Sequence, residues 1–280
     1  MKRLVFISSL FLISINLIGQ TNVNPNLFGF RTSLAFIFFD IQDSVFVNNI
    51  KSVSPNVLSF PGGFGNFYHL EGAGYGIKLD EIKKYHKQSK IKTVSKLNKI
   101  ISNKNHKENY IYDFIEMVKK TGSSAIYDAN IISSNPQEVL NIIKLLLDSN
   151  INLLGVELGG ELSNRSYSHF MNIDNYISLS KLYSKSIKEV YKDLPVAVVS
   201  APNNRGVQKL TDWNNTLAKE DYYDAIIIHP YAKIVKGKDV AGRMLTVMPE
   251  GADKNDTYEI YKKRAIKYII SDFKLEIDKY

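Results

Sequence analysis

The strongest constraint on the fold is a repeated alternation of short apolar segments with longer segments of helical periodicity. The short segments contain mostly apolar and β-forming residues and predict strands at 27–39, 56–60, 124–131, 153–158, 196–200 and 225–228. Between and after them, helices are predicted at 43–53, 110–120, 135–149, 177–191, around 213–217, and at 258–275. Short apolar strands separated by helices are typical of a parallel sheet that is buried on both faces. The sequence therefore predicts an α/β fold in one domain.

Hydrophobic periodicity alone fits an open doubly wound sheet and a closed barrel equally well. Polar and aromatic residues, however, follow the ends of several different strands: Asn66, Tyr68, His69, Asn130, Glu161, Asn203, Asn204, His229 and Tyr231. In a barrel these strand ends meet at one mouth, where loops place catalytic groups, whereas in an open sheet they are spread along an edge. The pattern favours a (β/α)8 TIM barrel that is incomplete, with about six β/α units present and strands seven and eight missing.

The N-terminal segment differs from the rest of the chain. Lys2 and Arg3 precede an apolar run at 4–19, which gives way to a polar stretch at 20–26. This order is typical of a signal peptide, so we predict a leader at 1–20 and a partial barrel at 21–280, secreted or held in the periplasm or at the cell surface. An uncleaved membrane anchor is the alternative, although the run is shorter than the roughly 20 residues of a membrane span. The chain contains no cysteine, which excludes a lipoprotein anchor, disulfides and thiolate metal sites.

Nine lysines and no acidic residue lie between Lys83 and Lys107. Without these nine lysines, Lys2 and Arg3, the net charge of +8 would be −3, so the basic character belongs to this segment. One interpretation is a solvated surface excursion, and the alternative is contact with an acidic polysaccharide or a nucleic acid. Tyr85 is the segment's only tyrosine, phenylalanine or tryptophan. This argues against stacking on a single strand, and we predict no nucleic-acid partner.

Two carboxylates, Glu157 and Glu161, occur at the end of the fourth predicted strand. Charges that enter the end of an apolar strand are costly unless they are hydrogen-bonded or functional. Glu161 lies just beyond two glycines and can point into a barrel mouth, where burial raises a carboxyl pKa as a general acid requires. Glu157 has the opposite strand parity to Leu158 and is expected to orient its neighbours through hydrogen bonds. The alternative for Glu161 is a carboxylate that stabilises a helix N-terminus.

Four motifs resemble a known clan of enzymes. Segment 157–161 resembles the fourth-strand signature Glu-(Leu or Ile)-Gly-Asn-Glu of the retaining barrel glycosidases, which include α-L-arabinofuranosidases, β-xylosidases and heparanase-like β-glucuronidases. Segment 58–63 and the polar loop after it resemble the second-strand motif Arg-(Tyr, Phe or Trp)-Pro-Gly-Gly, most like the arabinofuranosidase branch. Asn130 is similar to an asparagine that ends the third strand, and segment 229–231 to a His-x-Tyr that follows the sixth.

The resemblance implies a set of site residues. Glu161 is the expected acid/base, and His229 and Tyr231 are expected to hold the nucleophile and substrate in place. The residues expected to bind the sugar are Asn66, Tyr68, His69, Asn130 and Gly160, together with His229 and Tyr231. No metal or organic cofactor is expected, because no His/Asp cluster has the spacing of metal ligands.

The chain also departs from the clan pattern. Gly160 stands where the clan has a sugar-binding asparagine, and Ser59 replaces an arginine that steadies the nucleophile. The nucleophile of the clan is a glutamate at the end of strand seven, and no candidate strand follows the sixth predicted unit. Glu276 lies in a lysine-rich helical context and is a poor substitute. We therefore expect these 280 residues to be a C-terminally truncated, inactive form with exposed apolar sheet edges.

The leading prediction is an exported retaining glycoside hydrolase acting on a polysaccharide or oligosaccharide, or the N-terminal part of one. The alternative is a non-catalytic carbohydrate-binding or cell-surface protein on a degenerate glycosidase barrel. A phosphate-binding barrel that uses Gly62 and Gly63 is less favoured, because such sites usually follow strands seven and eight. The expected partner is a carbohydrate, with no membrane contact once the leader is removed. The sequence leaves the sugar and the oligomeric state open.

Overall fold

A computed structural model describes residues 24–63, 65–86, 91–104, 107–202 and 207–229, the backbone of 235–238 and 244–246, and residues 255 and 259. The strands are β1 Gly29–Arg31, β2 Val57–Phe60, β3 Ser124–Ala129, β4 Leu153–Leu158, β5 Val196–Val199, β6 Ala225–Ile227, β7 Val235–Lys238 and β8 Met244–Thr246. The α-helices are α1 Ala35–Phe38, α2 Ser44–Val53, α3 Leu79–Tyr85, α4 Ile91–Asn103, α5 Tyr110–Thr121, α6 Pro136–Asp148, α7 Ile173–Val190 and α8 Gln208–Leu217. The predicted helix at 258–275 lies outside the described residues, apart from Glu259.

Strands β1 to β6 form one parallel sheet in which each strand pairs with the next strand along the chain. Right-handed crossovers between consecutive neighbours place the helices on one side of the sheet, as in a barrel. An open doubly wound sheet instead reverses its strand order partway. The observed order therefore confirms an α/β fold of the partial-barrel kind. Strands β7 and β8 pair separately and antiparallel.

The two faces of the sheet differ in chemistry. One face packs against the helices through fully buried apolar side chains: Leu58, Phe60, Tyr127, Val156, Leu158, Val196 and Val198. The opposite, inner face presents residues of the other strand parity. There Asp128 lies beside Glu157 in the register of β3 and β4, and Arg31 lies beside Ser59 in the register of β1 and β2. The apolar core thus lies outside the sheet, and charged groups line its inner side.

Several helices form where the sequence predicts them, and their caps explain their starts. The Asp43 side chain accepts a hydrogen bond from the Val45 amide at 2.8 Å and begins α2. The Asn135 side chain accepts one from the Glu138 amide at 3.0 Å, and a proline at the first helical position completes the start of α6. Within the described residues no helix combines the length and apolarity needed to cross a membrane.

Two segments differ from the sequence prediction. The predicted strand at 27–39 is a three-residue strand, because Thr32 bonds to the Ser59 carbonyl and Ser33 then adopts a positive φ of 41°. The chain then turns into the one-turn helix α1, which buries Phe36 and Ile37. Two exposed aromatic residues, Phe28 and Phe30, remain at the β1 edge.

The lysine-rich segment is the second difference. It overlaps the end of α3 and contains α4, and the sequence analysis did not predict either helix. Helix α4 buries Val94, Leu97 and Ile101 and leaves Lys92, Lys96 and Lys99 exposed. The described parts of the segment are therefore amphipathic helices packed on the core, with the lysines of those parts exposed.

Candidate active site

A cleft of about 860 Å³ lies at the carboxyl ends of β1, β2, β4 and β5. Arg31 contributes from β1, Gly62 and Gly63 from the loop after β2, and Glu161 from the turn after β4. The loop at 163–168 and the start of α8 complete the lining. Loops after four different strands therefore meet at one opening, which is the arrangement by which barrels build active sites.

Glu161 reaches this cleft through an unusual backbone turn. Gly159 has a φ of +76°, and a Cβ atom at this position would lie 2.8 Å from Leu162 Cδ1. Glu161 itself has a φ of +52°, a left-handed conformation that costs a non-glycine residue about 1 kcal/mol or more. Its side chain is 36% exposed. The turn therefore gives up some backbone stability to bring one carboxylate to the cleft surface.

The Asn66 side chain stabilises this turn by hydrogen bonds to Gly160. Its Nδ2 donates to the Gly160 carbonyl at 2.7 Å, and its Oδ1 accepts from the Gly160 amide at 2.7 Å. The same Nδ2 also donates to the Tyr167 hydroxyl at 3.2 Å. Asn66 is buried, and both ends of its amide are in use. It fixes the peptide that precedes Glu161.

His229 lies between the two glutamates of the fourth strand. Its Nδ1 is 3.1 Å from Glu161 Oε1, and its Nε2 is 3.7 Å from Glu157 Oε1. Burial of the ring lowers its pKa, but attraction to the two carboxylates outweighs burial and raises the pKa of His229 to about 9. The ring is therefore an imidazolium at neutral pH. Sequence reasoning placed His229 beside the site, and the structure puts it in contact with Glu161.

Beneath His229, the inner face of the sheet holds a charged cluster. Arg31 Nη2 lies 2.7 Å from Glu157 Oε2 and 3.1 Å from Asp128 Oδ1, and the Gly62 amide donates to Asp128 Oδ2 at 3.0 Å. Burial and the neighbouring Glu157 raise the pKa of Asp128 well above its ordinary value. Burial also opposes the charge on Glu157, but His229 and Arg31 lower the pKa of that carboxyl overall. The arrangement is a pair of neighbouring buried carboxyls whose titrations are coupled, and one guanidinium contacts both.

Three of the predicted sugar-binding residues lie away from the cleft. Tyr68 is fully buried, and its hydroxyl donates to Asn109 Oδ1 at 2.9 Å. Asn130 is also fully buried and donates to the Tyr68 carbonyl at 3.1 Å. His69 lies between Glu81 and Glu138, with its Nε2 and Nδ1 at 2.8 and 3.0 Å from their carboxylates.

The remaining predicted residues have different positions. Gly160 lines the cleft, whereas Tyr231 lies outside the described residues. Helix α3 borders the cleft through His86, and the Lys84 carbonyl lies 3.0 Å from His169 Nε2 on the loop after β4. The described part of the chain contains no cluster of three or more His, Asp or Glu side chains able to hold a metal ion.

Sequence reasoning did not identify Arg31 and Asp128. Each is a charged residue in or at the end of an apolar strand, which is the signal that drew attention to Glu157. What the sequence lacked was the register, because only strand pairing places Asp128 beside Glu157.

No protein-family profile matches the chain, and no curated protein sequence matches it either. Among solved structures, the GH51 arabinofuranosidase from Xanthomonas axonopodis pv. citri is similar over 92% of this chain and 55% of its own, with a TM-score of 0.58 and 13% identity. AbfB, a family 51 α-L-arabinofuranosidase from Bifidobacterium longum, aligns with 80% of this chain and 42% of its own, with a TM-score of 0.49 and 13% identity. The α-L-arabinofuranosidase from Thermotoga maritima aligns with 70% of this chain and 40% of its own, with a TM-score of 0.46 and 18% identity.

This chain spans about half the length of these structures. The likeness to the Xanthomonas enzyme shows the fold, a parallel α/β sheet of the barrel type.

Proposed function

We propose that this protein is a retaining glycoside hydrolase that acts on the O-glycosyl bonds of a polysaccharide or oligosaccharide. The observation that carries the proposal is the position of Glu161, which a strained turn brings to the cleft beside His229 at 3.1 Å. We propose that the imidazolium passes its proton to Glu161 Oε1 across this hydrogen bond as Glu161 protonates the departing oxygen. The pair therefore holds the proton that the departing glycosidic oxygen needs.

Ser59 stands where the clan has an arginine, and Arg31 places a positive charge next to that position. The two residues are register partners on β1 and β2, and both lie on the inner face of the sheet. The buried Ser59 hydroxyl has no hydrogen-bond partner among the described residues, whereas Arg31 contacts two carboxylates. We assign Arg31 to the positioning of Glu157, which in turn attracts and orients the His229 ring.

Retention requires a second carboxylate about 5 to 5.5 Å from the acid, to attack the anomeric carbon. Glu161 is the only carboxylate among the described residues that line the cleft. The proposed nucleophile is therefore a carboxylate outside this described lining. Glu157 is a poor candidate, because it is buried and paired with Arg31. We also propose export through the segment at 1–20, on the basis of its basic start and apolar run.

The test is turnover and binding with 4-methylphenyl glycosides, whose leaving group needs a proton, beginning with an arabinofuranoside because the name of the similar Xanthomonas enzyme carries that activity. We expect release of methylphenol by a protein that includes the proposed nucleophile, and its loss in Glu161→Gln, with substrate affinity retained. Affinity without turnover in the unaltered protein would support a non-catalytic carbohydrate-binding protein instead. Turnover that is equal in the two proteins would exclude Glu161 as the acid.

A further inference from the structure

The described residues that line the cleft carry more positive than negative charge. Deep in the site, Arg31 is neutralised by Asp128 and Glu157, and His229 contacts both Glu157 and Glu161. Two further cations, Arg165 and Lys209, also line the cleft. Both are exposed, and the described part of the chain gives neither side chain a carboxylate within ion-pair distance. The described lining therefore carries surplus positive charge at its rim.

Arg165 has a defined position because its loop is internally hydrogen-bonded. The Asn164 amide donates to the Glu161 carbonyl at 2.9 Å, so the loop begins directly from the turn that carries the proposed acid. The Arg165 carbonyl accepts from the Ser168 amide at 3.2 Å and from the Ser168 hydroxyl at 2.8 Å. The guanidinium therefore extends from a fixed backbone four residues after Glu161.

Lys209 reaches the same cleft from a different unit of the barrel. It lies in the first turn of α8, the helix that follows β5, and Leu210 beside it also lines the cleft. Helix α8 is held by buried Trp213 and by Asn214, whose side chain bonds the Ala201 amide at 2.7 Å and the Ala201 carbonyl at 2.9 Å. The two cations thus stand on separately anchored elements.

We infer that Arg165 and Lys209 form a subsite for an anionic group, a carboxylate or a sulfate, on the glycan that occupies the cleft. A neutral sugar bound there offers both cations hydroxyl oxygens as hydrogen-bond acceptors but no opposite charge. A guanidinium instead binds a carboxylate or sulfate through two parallel hydrogen bonds, and an ammonium adds a point charge. The inference rests on the proposed function, because it names the substrate class for the same cleft.

The test measures binding by calorimetry in the full chain carrying Glu161→Gln, so that turnover plays no part. Three oligosaccharides of equal length serve as probes: a galacturonate, a sulfated galactan and a neutral galactan. We expect an anionic probe to bind about tenfold more tightly than the neutral one at low salt, with the preference reduced in high salt. The carboxylated and sulfated probes distinguish the two sources of negative charge.

The Arg165→Gln/Lys209→Gln pair should abolish the anionic preference. Lys96→Gln/Lys99→Gln is the matched control, because these exposed lysines on α4 do not line the cleft, and it should change affinity less than twofold. The subsite would be overturned if the three probes bound with equal affinity, or if both double variants lost the same affinity for the anionic probes. Either result would leave the hydrolase proposal standing. Anionic binding without turnover in the unaltered protein would overturn the hydrolase proposal and leave the subsite standing.

Discussion

Replacing Arg31 with methionine tests the charged cluster on the inner face of the sheet. The substitution leaves Asp128 and Glu157 buried side by side without the guanidinium that now lies 3.1 and 2.7 Å from them. Removing one partner of a buried ion pair typically costs about 3 to 5 kcal/mol. Because the Arg31 side chain is 38% exposed, we expect a loss near the lower end, about 3 kcal/mol at pH 7.

The loss should depend on pH in a defined direction. Arg31 lowers the pKa of both carboxyls in the folded protein, so its removal raises both. Over the range in which those groups titrate, the folded variant therefore binds more protons than the folded wild type. The variant's stability deficit should grow as pH rises from about 4 toward 7, and it should be small where both carboxyls are protonated.

Urea unfolding monitored by tryptophan fluorescence provides the assay. Trp213 is the only tryptophan, is buried, and packs against Tyr176 with ring centroids 5.1 Å apart. Arg165→Met is the control, because it removes an exposed arginine without an ion-pair partner in the described part of the chain, and it should shift stability by less than about 0.5 kcal/mol. A loss below about 1 kcal/mol for Arg31→Met, or a loss independent of pH, would refute the reasoning.

Three further perturbations follow from the geometry. Asn66→Ala should destabilise the protein by about 2 kcal/mol and lower kcat at least about tenfold, because Gly160 loses both of its hydrogen bonds to the Asn66 side chain. An unchanged kcat would show that Asn66 does not position Glu161. His69 is stabilising as a cation, because bonds to two glutamates outweigh burial and raise its pKa. Wild-type stability should therefore fall as pH rises above about 6.5. His69→Gln should make that slope shallower without removing it, because the raised pKa of His229, about 9, contributes a slope of the same sign. Gly159→Ala should lower the thermal unfolding midpoint more than Gly122→Ala. Both glycines have a positive φ, but only at Gly159 would the added Cβ meet a neighbouring side chain. Equal shifts in the two variants would show that backbone strain alone causes the loss.

The sequence predicts the parallel strands and most helices because their apolar spacing is strong. The range Leu153–Leu158 predicted for β4 is the range observed. Helix α6 forms within the predicted range 135–149 and buries four apolar residues at helical spacing: Val139, Ile142, Ile143 and Leu146. Helix α4 was missed because the segment was interpreted by its charge alone, although Val94, Leu97 and Ile101 have the helical spacing of three and four. Strand β1 was extended too far, because the Thr32 hydrogen bond that ends it joins residues 27 positions apart.

The site was predicted in part for a similar reason. Position along a strand suggested Glu161 and His229, whereas the roles of Arg31 and Asp128 depend on strand register. Asn66 was expected to contact sugar, and its bonds to Gly160 depend on how two loops pack across 94 residues of sequence. The sugar-binding roles of Tyr68 and Asn130 stay predictions, with both residues buried beneath the mouth.

The most direct test of the central claim is the leaving-group dependence of Glu161→Gln. A general acid matters most when the departing oxygen is basic, so the variant should lose about 10³-fold in kcat/KM on alkyl or methylaryl glycosides. It should lose far less on 2,4-dinitrophenyl glycosides, whose leaving group needs no proton. Equal losses across the series would contradict Glu161 as the proton donor, and full activity on the poor leaving groups would exclude it from catalysis.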